Sequence, residues 1–283
     1  FSDSLTDQAR RAYGVADQAV GEMMAMLARK GLLDNTTIVL FGDHGDDYWT
    51  HGFKGGMLHG TEPYTQITWT PLAIRDPSFC PATNGGLAST IAIAPTCLAL
   101  LGIEEPGNVA HRGLDLLAQR QEIVFSQNFT ANQPDNRRAG VTKSFAATDD
   151  TYVLLASSRG LEMYAYRLDP GNHCNLLQFF DPGHDGHLTL RERTDAAPHF
   201  KAALTNNPRA VASIAERFRV LRAALSARIA AKRAHIEASG VEPRFALDPR
   251  CLEVIAGGAS AAPSPPREQA SVQTTFSYSI TLP

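Results

Sequence analysis

A short apolar run followed at once by acidic and imidazole side chains is the feature that most constrains this chain. Residues Thr37–Phe41 read Thr-Ile-Val-Leu-Phe, and such an uninterrupted run predicts a strand buried on both faces of a parallel sheet. Gly42 ends the run, and Asp43-His44 follows. Ligands of open α/β sheets bind beyond the carboxyl ends of strands. The sequence therefore places this pair where chemistry usually occurs.

Asp43 and His44 are the candidate metal ligands of the chain. A carboxylate beside an imidazole provides the oxygen and nitrogen atoms that bind a divalent cation. A glycine-rich loop of about thirty residues follows, and a loop of that length inside a compact domain is usually functional or disordered. The loop carries His51, Lys54 and His59, which we expect to contact an anionic group held on the cation.

Several passages resemble the second half of a sulfatase and, more broadly, the alkaline phosphatase superfamily. The helix–strand–Asp-His-Gly passage over residues 12–45 is similar to that of the family, and His51-Gly52 follows eight residues after Asp43, as it does there. Residues 89–106, which read STIAIAPTCLALLGIEEP, resemble a family helix that packs on the sheet. Gly160–Leu177 resembles the passage that ends the family's C-terminal sheet.

The resemblance implies roles for the site residues. Asp43 and His44 correspond to two metal ligands of the family. Lys54 corresponds to its anion-binding lysine, although it lies slightly early in the sequence, and counting back from the next strand brings His59 near that position. His51 or His59 would hydrogen-bond the ester or protonate its leaving group. The choice between these assignments stays open.

The activity implied by the resemblance is two-step hydrolysis of a sulfate ester with the help of one divalent metal ion. Calcium is the first expectation for that metal, with manganese or zinc as alternatives, and a small anionic ester is the expected substrate. A phosphodiester or phosphonate monoester hydrolase and a phosphoethanolamine-type transferase are alternatives within the superfamily. A non-catalytic, sulfatase-like structural chain is another alternative.

The predicted fold class is α/β: the C-terminal half of a sulfatase-like α/β/α sandwich, with a small antiparallel β subdomain and a C-terminal helix. The predicted segments are 1–120 as half of the catalytic domain, 121–180 as the antiparallel subdomain, 181–256 as a loop and helix, and 257–283 as an Ala/Ser/Pro-rich linker and tail. The family's nucleophile motif and its N-terminal Asp-Asp metal pair find no counterpart here. We expect that half to come from the same gene or from a partner chain.

Composition narrows the classes of partner. With 43% apolar and 19% charged residues, the chain is typical of a globular protein. A net charge of −3 argues against non-specific binding to nucleic acid. No apolar run approaches the roughly 18 residues that span a bilayer, so no membrane span is expected. The sequence does not decide between a bacterial cytoplasm and periplasm, and it leaves a homo-oligomer open.

Two sets of acidic residues have a simpler interpretation. Asp46 and Asp47 are expected to be solvated acids of the loop. Asp181–Glu192 matches most positions of an EF-hand calcium loop, but Gly183 stands where an acid is required. We therefore expect a plain Asp/Gly turn in this segment, with calcium binding as the alternative.

Overall fold

The computed structural model of the chain describes residues 2–47, 51, 62–103, 116–117, 121–129, 143–157, 160–183, 187–192, 197–240 and 255–256. It divides into two compact units. The first comprises residues 1–59 and 66–85, and the second comprises residues 60–65 and 86–283. None of the helices within the described ranges combines the length and apolar character that crossing a membrane requires. The four segments drawn from the sequence stay a prediction.

A long helix, α1 (Ser2–Arg29), opens the first unit. The sequence predicts that Gly31 ends this helix, and Gly31 has a φ of 67°. Glycine adopts this left-handed conformation without the steric cost of a Cβ. The N–H of Gly31 donates to Ala28 O at 2.9 Å, and the N–H of Leu32 donates to Leu27 O at 2.9 Å. This pair of bonds is a Schellman motif, so the predicted stop signal is confirmed.

The apolar face of α1 is largely exposed in this chain. Tyr13, Ala16, Val20, Met23 and Leu27 recur every three or four residues, a spacing that predicts one apolar helix face packed into a core. The exposed fractions of Tyr13 and Met23 are nevertheless 62% and 40%. Met26, from the same methionine cluster, is 41% exposed. The expectation that these side chains pack into a core is therefore wrong for the described residues. The helix forms, but its apolar face has little to pack against within this unit.

Strand β1 (Ile38–Phe41) pairs with β2 (Leu72–Arg75), and Phe41 lies opposite Leu72. The prediction of a strand at this position is confirmed. The prediction of a fully buried strand in a parallel sheet is wrong, because the pairing is antiparallel and Leu40 and Phe41 are 45% and 46% exposed. An apolar run indicates a tendency towards burial, but it carries no information about the direction of the neighbouring strand.

Hydrogen bonds hold the start of β1 against the end of β2. Thr37 Oγ1 donates to Asp76 Oδ2 at 2.5 Å. The other carboxylate oxygen of Asp76 accepts from the N–H and the hydroxyl of Ser78 at 2.9 and 2.5 Å. These bonds favour the ionised carboxylate and lower the pKa of Asp76, with the Ser78 hydroxyl as the largest cause. Arg75 Nη1 donates to the carbonyl of Leu33 at 2.8 Å.

A one-turn helix, α2 (Thr65–Thr68), precedes β2. The residues just before it belong to the second unit. Tyr64 is 1% exposed and meets Tyr164 edge to face, with ring centroids 6.1 Å apart. The N–H of Thr65 donates to Asn172 Oδ1 at 2.7 Å. Tyr64 and Thr65 are thus tied to the second unit, although the chain from Gln66 to Gly85 belongs to the first.

The sheet of the second unit is a four-stranded antiparallel meander. Its strands pair in chain order and follow helix α3 (Ile93–Leu100). They are β3 (Val124–Phe129), β4 (Lys143–Thr148), β5 (Val153–Ser157) and β6 (Gly160–Tyr164). Every residue of β5 is buried, so the sheet is covered on both faces there. The antiparallel sheet predicted in this part of the chain is confirmed.

Two helices follow the sheet, α4 (Pro198–Thr205) and α5 (Pro208–Ser239). The side chain of Asn207 caps α5 by accepting from the N–H of Ala210 at 3.0 Å. Pro208 occupies the first turn, where no N–H is needed. The apolar residues that recur at helical spacing are buried in the main core: Ile214, Phe218, Leu221, Leu225 and Ile229. The predicted C-terminal helix is confirmed.

The turn between β4 and β5 is anchored by Asp149, whose side chain is 3% exposed. Its Oδ1 accepts from the N–H groups of Thr151 and Tyr152, both at 2.7 Å. Its Oδ2 faces the guanidinium of Arg217 on α5. One carboxylate therefore closes the turn and links the sheet to the long helix.

The EF-hand-like segment forms a hairpin between β7 (Phe180–Pro182) and β8 (Leu188–Leu190), which pair antiparallel. Asp181, the first acid of the pattern, has Oδ1 2.8 Å from Nε of Arg191. Strands rather than helices flank the loop, and an arginine already neutralises its first acid. These two observations support the turn interpretation over calcium binding.

Candidate functional site

Asp43 and His44 follow β1 directly and converge. The backbone N–H of His44 donates to Asp43 Oδ1 at 3.0 Å, and the other carboxylate oxygen, Oδ2, lies 3.6 Å from His44 Nε2. The side chains are accessible, with exposed fractions of 85% for Asp43 and 39% for His44. An oxygen and a nitrogen donor therefore face each other at the exit of the strand.

The other ring nitrogen of His44 determines which way its lone pair points. Nδ1 lies 2.9 Å from the carbonyl oxygen of Gly45. Because a carbonyl only accepts, Nδ1 donates its proton, and in the neutral ring the lone pair is on Nε2. Histidines that bind metals usually donate the second N–H in this way. Nε2 and the Asp43 oxygen can both reach one cation at roughly 2.0–2.4 Å, so the donor set fits a metal.

Gly45 packs this turn against α2. Its N–H donates to the carbonyl of Ile67 at 2.7 Å. A Cβ at Gly45 would lie 2.0 Å from the backbone oxygen of Gln66, which is far below any real contact. Only glycine allows this close approach, so the third residue of the Asp-His-Gly motif fixes the position of the two donors before it.

Asp47 and His51 form a buried pair in the loop that follows. Asp47 is 0% exposed, and its Oδ1 lies 2.5 Å from Nδ1 of His51, whose side chain is 5% exposed. Asp47 Oδ2 also accepts from the backbone N–H of His51 at 3.3 Å. The expectation that Asp47 is a solvated acid is therefore wrong, because its carboxylate is enclosed with its partner. Asp46 is half-buried.

The remaining candidate residues stay predictions. Lys54 and His59 lie outside the described residues, so their expected contacts with an anion remain expectations. Among the residues that the structure describes, no group of three or more His, Cys, Asp and Glu side chains is arranged to hold a metal. Asp43 and His44 thus provide two donor atoms in the described part of the chain.

The comparison with protein families agrees with the order of these motifs. Residues 4–103 match the family model of the sulfatases, and this segment includes α1 from Ser4 onwards, strands β1 and β2 and the Asp43-His44 pair. This segment belongs to the sulfatase family. The match accounts for the strand–Asp-His-Gly arrangement in this segment.

Curated relatives of the sulfatase segment have several activities. Choline-sulfatase of Rhizobium meliloti is 32% identical over 102 residues, which are 34% of this chain and 19% of that protein. Lipoteichoic acid synthase 2 of Bacillus subtilis is 24% identical over 192 residues, which are 64% of this chain and 29% of that protein. The chain therefore corresponds to less than a third of the length of either relative.

Solved structures show that the fold is shared as well. The chain resembles a 2-O GAG sulfatase with a TM-score of 0.50 and 17% identity, over 88% of this chain and 47% of that one. A second solved structure, from Bacteroides thetaiotaomicron, gives the same values. The predicted fold class, the C-terminal half of a sulfatase-like α/β fold, is confirmed.

Proposed function

We propose that this chain carries part of the metal site of a metal-dependent sulfuric ester hydrolase. The observation that carries the proposal is the convergence of Asp43 Oδ2 and His44 Nε2 at the exit of β1, 3.6 Å apart. The bond from His44 Nδ1 to Gly45 O leaves the lone pair of the neutral ring on Nε2, which would be the coordinating nitrogen. Choline-sulfatase, at 32% identity, supports sulfate rather than another anion as the group transferred to water.

The candidate site residues of this chain would have different roles in binding the metal and the ester. Asp43 and His44 would hold the divalent cation, with calcium expected first and manganese or zinc as alternatives. When bound, that ion would stabilise negative charge on the ester oxygens. Lys54 would neutralise the anionic ester, and His51 or His59 would hydrogen-bond it or protonate the leaving group.

A phosphate-ester activity is the second candidate. The match to lipoteichoic acid synthase 2 covers 64% of this chain, which is more than the match to choline-sulfatase covers. An Asp-His ligand pair suits either anion, because both esters carry negative oxygens that a cation and a lysine can bind. The second candidate thus includes a phosphodiester or phosphonate monoester hydrolase and a phosphoethanolamine-type transferase.

The first unit supports a further part of the proposal, namely that another polypeptide segment completes the site. Tyr13 on α1 and Leu40 and Phe41 on β1 are between 45% and 62% exposed. Large apolar side chains exposed on successive elements of one unit suggest that another segment normally covers them. We infer that the rest of a sulfatase-like domain covers it, from the same gene or from a partner chain, since this chain matches 47% of the 2-O GAG sulfatase structure.

Metal titration of the full protein tests the assignment. The metal-free protein is titrated calorimetrically with Ca²⁺, Mn²⁺ and Zn²⁺, and turnover is measured with aryl sulfates and aryl phosphates. We expect one site, and we expect Asp43→Ala to abolish both binding and turnover because it removes one of the two charged or polar donors. Asp17→Ala is the matched control, since Asp17 is an exposed acid on α1. Unchanged binding in Asp43→Ala would refute the site.

A further inference from the structure

We propose that Asp47 is a positioning residue that orients the ring of His51, so that His51 acts on the ester through Nε2. This inference rests on the proposed function, in which His51 is one of two candidates for the group that contacts the leaving oxygen. The buried contact between Asp47 Oδ1 and His51 Nδ1, at 2.5 Å, carries it.

The contact fixes the position of the ring proton. An ionised carboxylate offers only acceptors, so the ring nitrogen that faces Asp47 is the donor. The proton of the neutral ring is therefore on Nδ1, and the lone pair is on Nε2. Any proton transfer or hydrogen bond between His51 and a substrate has to use Nε2, because Nδ1 is already engaged. A buried aspartate performs the same task for the histidine of Ser-His-Asp enzymes.

The second carboxylate oxygen fixes the orientation of the carboxylate itself. Asp47 Oδ2 accepts from the backbone N–H of His51 at 3.3 Å. The ring and the backbone of one residue are thus bound to the two oxygens of one side chain. The bond from the backbone N–H of His51 would be enough to close the turn. The additional bond to Nδ1 restricts the orientation of the imidazole ring. Both side chains are almost fully enclosed, at 0% and 5% exposure, so water does not compete for these bonds.

The location of the pair is the second reason to assign it to the site. Asp47 comes four residues after Asp43, and the intervening turn is held by the close packing of Gly45 on α2. The chain therefore has little freedom between the candidate metal ligands and Asp47. A fixed histidine at this place suits acid–base catalysis along a defined direction, because Nε2 accepts a proton when the ring is neutral and gives one to a leaving oxygen when the ring is an imidazolium.

The ring tautomer of His51 is the first test. The full protein is labelled with ¹⁵N-histidine, and two-bond ¹⁵N–¹H correlation spectra are recorded with His51→Gln as the assignment variant. We expect the Nδ1–H form in the unaltered protein. We expect Asp47→Asn to shift the population towards Nε2–H, because the amide can turn its NH₂ towards the ring. Asp46→Asn, the neighbouring acid, is the control and should leave the spectrum unchanged.

Kinetics gives the second test. We expect Asp47→Asn to lower kcat by about 10²–10⁴-fold with little change in KM or in Ca²⁺ affinity. If Asp47 acts through His51, the double variant Asp47→Asn/His51→Gln should be no slower than His51→Gln alone. Fully multiplying losses, or an Nε2–H ring in the unaltered protein, would overturn the inference.

The two tests separate the two proposals. If the protein hydrolyses neither sulfate nor phosphate esters, the proposed function fails, but an Nδ1–H ring that depends on Asp47 still supports the orienting bond. If turnover is present and the ring tautomer does not respond to Asp47→Asn, the inference fails while the function stands. The spectrum of the unaltered protein decides the tautomer even where Asp47→Asn does not fold.

Discussion

Arg217 binds the carboxylate of Asp149 through two guanidinium nitrogens, Nε and Nη2, each 2.7 Å from the same oxygen. Asp149 is nearly fully buried, and its other oxygen accepts two backbone N–H groups of the β4–β5 turn. The arginine reaches this turn from the N-terminal third of α5. It therefore compensates a buried charge and fastens the long helix to the sheet at the same time.

Loss of this arginine should destabilise the second unit. We expect Arg217→Ala to lower the free energy of unfolding by about 2–3 kcal/mol, because the carboxylate stays buried without its counter-charge. The loss should be smaller than for a fully buried ion pair, because the Arg217 side chain is 38% exposed and water can partly take the place of the missing guanidinium. Urea denaturation followed by circular dichroism measures the change.

Arg219 provides the matched control for that measurement. It lies two positions along the same helix, and it pairs with Glu216 at 2.7 Å, with both side chains more than half exposed. Exposed pairs of this kind contribute little to stability, because water screens the two charges. Equal losses in Arg217→Ala and Arg219→Ala would contradict a special role for the Asp149 contact.

Gly45→Ala should weaken metal binding without removing a ligand. The new Cβ would meet the backbone oxygen of Gln66 at 2.0 Å, so the turn that carries Asp43 and His44 has to move. We expect an affinity loss of about tenfold or more, of the size seen when supporting groups around a metal are altered. Calorimetric titration measures it. Gly21→Ala is the control, because a Cβ there meets nothing within 4 Å, and equal affinities in the two variants would contradict the packing argument.

Cys174 should resist alkylation in the folded protein. Burial, together with the nearby Asp169 carboxylate, raises the pKa of Cys174 to about 11. The folded state then keeps the proton more tightly than the unfolded state. Its contribution to stability is fully present below the unfolded value of 9.0 and is lost as the pH rises towards 11.

Mass spectrometry after iodoacetamide treatment at pH 8 measures this protection. The exposed Cys80 serves as the internal reference. We expect Cys174 to react about 100-fold more slowly than Cys80, because alkylation requires the thiolate. Similar rates for the two thiols in the native protein, with no unfolding, would contradict the prediction.

Asp76 should make the first unit sensitive to acid. Its pKa is lowered by the hydroxyl of Ser78 and then by that of Thr37, so its ionised form stabilises the fold. This contribution is present above the pKa of the unfolded state and is lost as the pH falls through the lower folded pKa. We expect the stability difference between the unaltered protein and Asp76→Asn to shrink as the pH falls from 6 to 3. A difference that is constant with pH would contradict this role.

The sequence predicted those features that depend on local pattern. The recurrence of Phe218, Leu221 and Leu225 predicted α5, and that pattern depends only on which face of the helix is apolar. Gly31 predicted the end of α1 because a left-handed residue favours glycine. Asp43 and His44 were predicted as a pair because they follow the strand together. Their side chains converge because the backbone bends at Asp43, since neighbouring side chains of an extended strand point to opposite faces.

Other features depended on contacts that a linear pattern does not reveal. Strand β2 runs antiparallel to β1. The apolar run of β1 does not indicate the direction of the strand that pairs with it. Asp47 was expected in water because isolated carboxylates are costly to bury, and the bonds to His51 offset that cost. The four-residue separation of Asp47 and His51 was the one signal available, and many exposed pairs have the same separation.

Tyr64 and Thr65 have a practical consequence for anyone who wishes to divide the protein. The unit that contains the candidate metal ligands is discontinuous in sequence, because Tyr64 and Thr65, which interrupt it, pack within the second unit. A fragment that ends at Gly85 would still contain Tyr64 and Thr65. The ring of Tyr64 would lose its contact with Tyr164, and the N–H of Thr65 would lose its acceptor, Asn172. Separation of the two units would require excision of an internal peptide and a splice across the gap, which no single protease site can achieve.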